Sequence, residues 1–128
     1  MNVLVDTHAV LWWLAGDAHL SRRARRILED SKNRRVVSIA SLWEIAIKMS
    51  MGRLPAKDFT LRMIAEQLKE QEFILLPVRL GDLLRLEQLP AVHRDPFDRV
   101  LVCQALEEGI PLLTADGLMT QYPVRTIW

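Results

Sequence analysis

Only one cysteine occurs among the 128 residues, so Cys103 has no partner for an internal disulfide and no companions for a sulfur-rich zinc site. Nothing in that usage points to an oxidising compartment, and the expected location is the cytoplasm. Long apolar runs are missing as well. Half of the residues are hydrophobic, yet no stretch approaches the roughly 20 residues that a membrane span needs. The opening MNVLVD carries an acid where a secretion signal would have its apolar centre, so neither export nor membrane association is expected. Glycine is scarce, at five residues, and forms no phosphate-cradling loop, which argues against nucleoside triphosphate hydrolysis. Internal repeats, low-complexity tracts and linkers are absent. Net charge is nearly absent too: 17 Lys and Arg stand against 16 Asp and Glu. That balance disfavours a globally basic nucleic-acid binder, although a neutral total can conceal local accumulations of either sign.

The chain is long enough to bury a core without staples, and one domain over residues 1–128 is expected. Asn2 to Val5 reads as a buried strand and Thr7 to Ala15 as a helix. Ser21 is a plausible N-cap for a helix with Ala24, Ile27 and Leu28 on its apolar face. Val36 and Val37 form a second strand. Ser38 or Ser41 then starts a helix that Gly52 closes. A further helix is expected from Asp58, with Leu61, Ile64, Ala65 and Leu68 at helical spacing. A strand follows from Phe73 to Val78, then a short helix from Arg79 to Leu89. Pro96 to about Glu108 reads as a helix, and Leu112 to Thr114 and Val124 to Ile127 as strands. Strands alternating with helices imply an α/β fold, a parallel sheet of four to five strands sandwiched between two helical layers. In such sheets ligands bind beyond the carboxyl ends of the strands.

Two acids fall at such ends. Asp6 closes NVLVD and Asp116 follows LLTA. Each has a bland explanation, Asp6 as an N-cap and Asp116 in an Ala-Asp-Gly turn. Glu44 is surrounded by Leu42, Trp43, Ile45, Ala46 and Ile47; it fits a Ser41-x-x-Glu44 capping box, or an i,i+4 pair with Lys48. In HRDPFDR, Pro96 suits the first helical position and Asp95 its N-cap, leaving Asp98 in the positive end of the helix dipole. A helix running antiparallel to the strands begins at their carboxyl ends, so Asp98 can join Asp6 and Asp116. Carboxylates ~4 Å apart repel by about 4 kcal/mol at an effective dielectric near 20, and a divalent cation would relieve this. Oxygen ligands with little sulfur or histidine suit Mg²⁺, with Mn²⁺ as a substitute. The implied chemistry is metal-assisted attack of water on a phosphodiester.

VLVDTH, SIASLWEIAIK, HRDPFDRVLVCQA and LLTAD occur in the order and approximate spacing of PIN-domain proteins, and the chain resembles a VapC-type toxin of a bacterial toxin–antitoxin pair over nearly its full length. HRDPFDR followed by a small-residue helix is the most specific of these motifs. By this resemblance Asp6, Glu44, Asp98 and Asp116 match the family's four acidic positions and Thr114 a supporting hydroxyl, while His8 stands where many members have Asn. The resemblance implies a homodimer with Mg²⁺-dependent endoribonuclease activity on transfer or ribosomal RNA. It also implies a cognate antitoxin whose C-terminal segment enters the site. Asp6, Asp98 and Asp116 are then expected to hold the metal, with Glu44 completing the shell or positioning the attacking water. The alternative is a non-catalytic PIN-like module that binds RNA or protein. A phosphoacceptor receiver domain fits poorly, because FILLPV ends without an aspartate and no lysine follows the last strands.

Arg22, Arg23, Arg25, Arg26, Lys32, Arg34 and Arg35 place 7 of the 17 basic residues in one segment. The first four are candidate RNA contacts, against the simpler reading of a solvated helix face. Trp12, Trp13 and Trp43 suit core or interface positions. His8, His19 and His93 look too scattered for a metal triad, and Cys103 reads as a small core residue.

Overall fold

The computed structural model describes residues 1–54 and 59–128. Its centre is a five-stranded sheet of β1 (Asn2–Val5), β2 (Arg34–Ser38), β3 (Ile74–Leu76), β4 (Leu112–Leu113) and β5 (Thr126–Ile127). The spatial order is β3-β2-β1-β4-β5 and every pairing is parallel. Parallel strands covered on both faces need apolar residues on both, and the runs VLV and VV supply them. Val3 and Val5 pack with Ala9, Val10, Ala24 and Leu28 on one side. Leu4 packs with Leu101, Val102 and Ala105 on the other. The result is the expected three-layer α/β/α sandwich. Strand order reverses at β1, whose neighbours are β2 and β4. The open crevice of a parallel sheet lies where the order reverses, here between the carboxyl ends of β1 and β4.

Local signals determine the helices that border this crevice. Helix α1 (Thr7–Ala15) begins at Asp6 and stops at Gly16, whose φ of 64° is the left-handed conformation that glycine adopts at no steric cost. Helix α2 (Arg22–Glu29) is capped by Ser21, and α3 (Ile39–Ser50) by Ser38, which accepts from the Ala40 N–H. Ser41 caps nothing; its Oγ accepts a hydrogen bond from Thr7 Oγ1 at 2.9 Å, tying α1 to α3. Helix α4 (Leu61–Glu70) has Thr60 as its N-cap, and the start expected at Asp58 lies outside the described residues. Helix α5 (Leu80–Leu86) is shorter than expected, while α6 (Pro96–Glu108) has the expected bounds, with Asp95 as N-cap. Strands β3, β4 and β5 are each shorter than the apolar stretches that announced them, because pairing extends only as far as a neighbour does. Gly117–Gln121 forms a 3-10 turn.

The basic segment divides in two. Arg22, Arg23 and Arg26 are exposed on α2, whereas Arg35 is only 4% exposed. Its guanidinium donates to the carbonyls of Leu28 at 2.7 Å and Gln71 at 2.6 Å and lies 4.5 Å from the Phe73 ring centre. Arg35 therefore joins α2 to the end of α4 and to Phe73 just before β3, and leaves the surface patch in which its sequence neighbours had placed it. Replacing Arg35 by Ala leaves one buried and one half-buried carbonyl without their charged donor and is expected to lower unfolding free energy by about 2–3 kcal/mol. Arg22→Ala and Arg23→Ala should each stay within about 0.5 kcal/mol. Urea denaturation of the three variants measures the contrast.

Candidate active site

Asp6 ends β1 with extended backbone, φ −71° and ψ 165°, so its carboxylate can turn back over the first turn of α1. Oδ1 accepts from the Ala9 N–H at 2.8 Å, and Oδ2 accepts a short hydrogen bond from the Thr114 hydroxyl. Thr114, just past β4, also accepts at Oγ1 from the Asp116 N–H at 3.1 Å. One hydroxyl thus links the carboxyl ends of the two strands that flank the crevice. Asp6 caps α1 and its side chain also lines the crevice, so the two readings of it are compatible. Burial pushes its carboxyl pKa up despite the hydrogen bonds from Thr114 and Ala9 that favour the anion.

Asp98 arrives from the opposite layer, in the first turn of α6. Asp95 accepts from the Phe97 N–H at 2.8 Å and Pro96 occupies the first turn, so capping leaves the Asp98 carboxylate free to face the crevice. Burial, joined by the negative charges of Asp95, Glu44 and Asp6 and opposed by His93, pushes its pKa up to about 7. Asp116 caps the 3-10 turn, its Oδ1 accepting from the Leu118 N–H at 2.9 Å, while Oδ2 lies 2.7 Å from His93 Nε2. Asp6, His8, Trp12, Asp98, Ala115 and Asp116 line one cavity of about 310 Å³.

Glu44 sits deeper, on α3, and does not line that cavity. It is 4% exposed, with Oε2 paired to Lys48 Nζ at 2.9 Å and Oε1 without a partner among the described residues. The i,i+4 pair is therefore real, whereas the capping box with Ser41 does not form. A buried carboxylate oxygen without a donor is costly, and its charge is felt at Asp98.

His93 had been set aside with the other histidines, yet one ligand atom each from His93, Asp98 and Asp116 lie within 4.8 Å of one another. Its position two residues before the Asp95 cap was the available signal: a residue there must sit near the start of α6, on the crevice side. His8 was similarly marked by following Asp6 and Thr7. The carboxylates of Asp6, Asp98 and Asp116 on one cavity, with Asp98 desolvated, form an oxygen donor set that fits a divalent cation, and His93 lies beside it. Trp43, by contrast, is 63% exposed and meets Phe97 edge-on. Cys103 is fully buried, as expected of a core residue.

A raised carboxyl pKa makes the folded state bind its proton more tightly than the unfolded chain does. The contribution of Asp98 to stability is therefore intact at and below pH 3.8 and falls as pH rises towards about 7. In EDTA, Asp98→Asn should melt at a higher temperature than the wild type at pH 8, with the gap closing towards pH 5. Thermal melts across that range provide the measurement, and a gap independent of pH would contradict the assignment.

The PIN domain family model matches residues 3–124. No curated protein matches the chain in sequence. Among solved structures, it is similar to a chain of VapBC2 from Rickettsia felis bound to a DNA fragment from its promoter. That similarity has a TM-score of 0.76 at 12% identity and covers 99% of this chain and 98% of the other. A chain of FitAcB from Neisseria gonorrhoeae gives a TM-score of 0.68 at 17% identity, covering 98% and 96%. These likenesses concern the fold.

Proposed function

Because the chain belongs to the PIN domain family, we propose that it is a metal-dependent endoribonuclease, the VapC-type toxin of a toxin–antitoxin pair, acting as one domain over residues 1–128. The observation that carries this reading is the convergence of Asp6, Asp98 and Asp116 on one cavity at the reversal point of the sheet, with the Asp98 carboxyl pushed up to about 7. Asp6, Asp98 and Asp116 would hold the cation, with Mg²⁺ favoured by the oxygen donors and Mn²⁺ accepted in its place. When bound, the cation supplies positive charge that polarises water and the phosphoryl oxygens. Thr114 keeps the Asp6 carboxylate oriented by hydrogen bonding to it. Glu44, buried with one oxygen unpartnered, completes the shell or orients the attacking water.

The RNA, transfer or ribosomal by resemblance, would reach the cavity past α2. His19 stacks on Trp12 at 5.4 Å, and Trp12 lines the cavity, so the loop that leads into α2 and its exposed Arg22, Arg23 and Arg26, with Arg25, touches the cavity wall. A second cavity of about 370 Å³ shares His8 and Trp12 with the first and is walled by Leu11, Leu14, Met49, Phe59 and Ile64. An apolar groove opening beside the acids suits a segment of the cognate antitoxin, and the VapBC2 structure is one of a pair of proteins bound to promoter DNA. Leu80, Leu83 and Leu84 are exposed on α5, an apolar surface that suits a homodimer. Among the described residues no helix is long and apolar enough to cross a membrane, in keeping with a cytoplasmic enzyme.

Purified chain free of antitoxin should cleave total RNA with Mg²⁺ and stop in EDTA. Asp98→Asn should reduce the rate by about a hundredfold or more. Cleavage that persists in EDTA, or in Asp6→Asn, would sink the metal mechanism, and RNA binding without cleavage would favour the non-catalytic module. Charge reversal at Arg22 and Arg26 should flatten the dependence of RNA affinity on salt; an unchanged slope returns these arginines to an ordinary solvated face.

A further inference from the structure

The histidine beside the acids is held on three sides. His93 has a side chain only 7% exposed, and its ring stacks on Tyr122 with centroids 5.4 Å apart and planes 13° from parallel. Tyr122 Oη lies 2.9 Å from the His93 backbone nitrogen and 2.9 Å from Nδ1. The backbone N–H can only donate, so the phenol oxygen accepts there. The phenol proton can then be given to Nδ1, and a neutral ring that accepts there carries its own proton on Nε2. Nε2 is the atom 2.7 Å from Asp116 Oδ2.

We propose that His93 is a positioning residue for Asp116: Tyr122 fixes the imidazole with its proton on Nε2, and that N–H holds the Asp116 carboxylate facing Asp98. The inference rests on the nuclease reading of the same site. Tyr122 is itself immobilised, 3% exposed in the apolar cluster with Leu101 and Val102, and its N–H donates to the Met119 carbonyl at 3.2 Å. On the far side, Asp116 Oδ1 accepts from the Leu118 N–H. Each carboxylate oxygen therefore has one donor and retains a lone pair for a cation. Without the histidine only the Leu118 contact restrains the carboxylate, and repulsion from Asp98 turns it outward. Partners of this kind, which orient a ligating group without touching the metal, typically contribute 10–100-fold to metal affinity.

The test uses the full chain with Mn²⁺ alone as the probe, by titration calorimetry on the wild type, His93→Ala, His93→Gln and Tyr122→Phe, with circular dichroism to establish folding. Histidine ¹⁵N spectra of the metal-free protein report the tautomer at pH 8. The expected tautomer carries its proton on Nε2 in the wild type and loses that preference in Tyr122→Phe. Mn²⁺ binding should weaken about 10–100-fold in His93→Ala and recover to within about threefold in His93→Gln, whose amide presents an N–H at similar reach. A proton on Nδ1 in the wild type, or undiminished Mn²⁺ affinity in His93→Ala, overturns the proposal. So does a His93→Gln variant as weak as His93→Ala, which would make the nitrogen itself a metal ligand. A wild type that shows the expected tautomer but binds no Mn²⁺ would defeat the nuclease reading while upholding the hydrogen bond from His93 to Asp116.

Discussion

Burial of carboxylates at the β1 and β4 ends, with their mutual repulsion added to it, is the constraint around which the site is organised. Asp6, Asp98 and Asp116 share a small cavity, and Glu44 adds its field from behind. Like charges in a partly desolvated crevice would separate if their backbones allowed it. Here they are anchored by elements that have other reasons to be where they are. Asp6 is fixed by the cap of α1 and by Thr114, Asp98 by the first turn of α6, and Asp116 by the 3-10 turn. The sheet and its two helical layers are the frame that holds these groups together, and on the nuclease reading a cation would offset their charge.

The helices nearest the crevice were legible from sequence because their boundaries are written locally. Asp6 before Thr7, and Asp95-Pro96 before Phe97, define where α1 and α6 start, and Gly16 and Gly109 define where they stop. These same caps carry the chain into the crevice, so the positions of Asp6 and Asp98 followed from the same few residues. The alternation of strands and helices was sufficient for the parallel sheet, since runs such as VLV bury on both faces.

What escaped the sequence depends on partners far along the chain. Ser38 and Ser41 are equivalent as caps until Thr7, 34 residues away, engages Ser41. Arg35 looks like one more member of a basic run, and only the carbonyls of Leu28 and Gln71 with the ring of Phe73 reveal it as a buried cross-link. Phe73, expected in β3, turns instead beneath that guanidinium. His93 was discounted because histidines were compared with one another and not with the acids; its contacts to Tyr122 and Asp116 span 29 and 23 residues.

The double occupation of Asp6 has a bearing on how such a chain can change over generations. Most replacements there remove an N-cap and a charge together, so on the nuclease reading loss of chemistry and loss of foldedness arrive as one event. Asparagine and serine are the exceptions, since both cap a helix about as well as aspartate, and asparagine also keeps its shape. The Thr114 hydroxyl would then face an amide in place of an anion while the backbone stayed where it is. On the nuclease reading, a lineage drifting away from catalysis while keeping its shape therefore has a narrow exit at this position, limited to the few residue types that cap, whereas Asp98, which caps nothing, leaves many exits open.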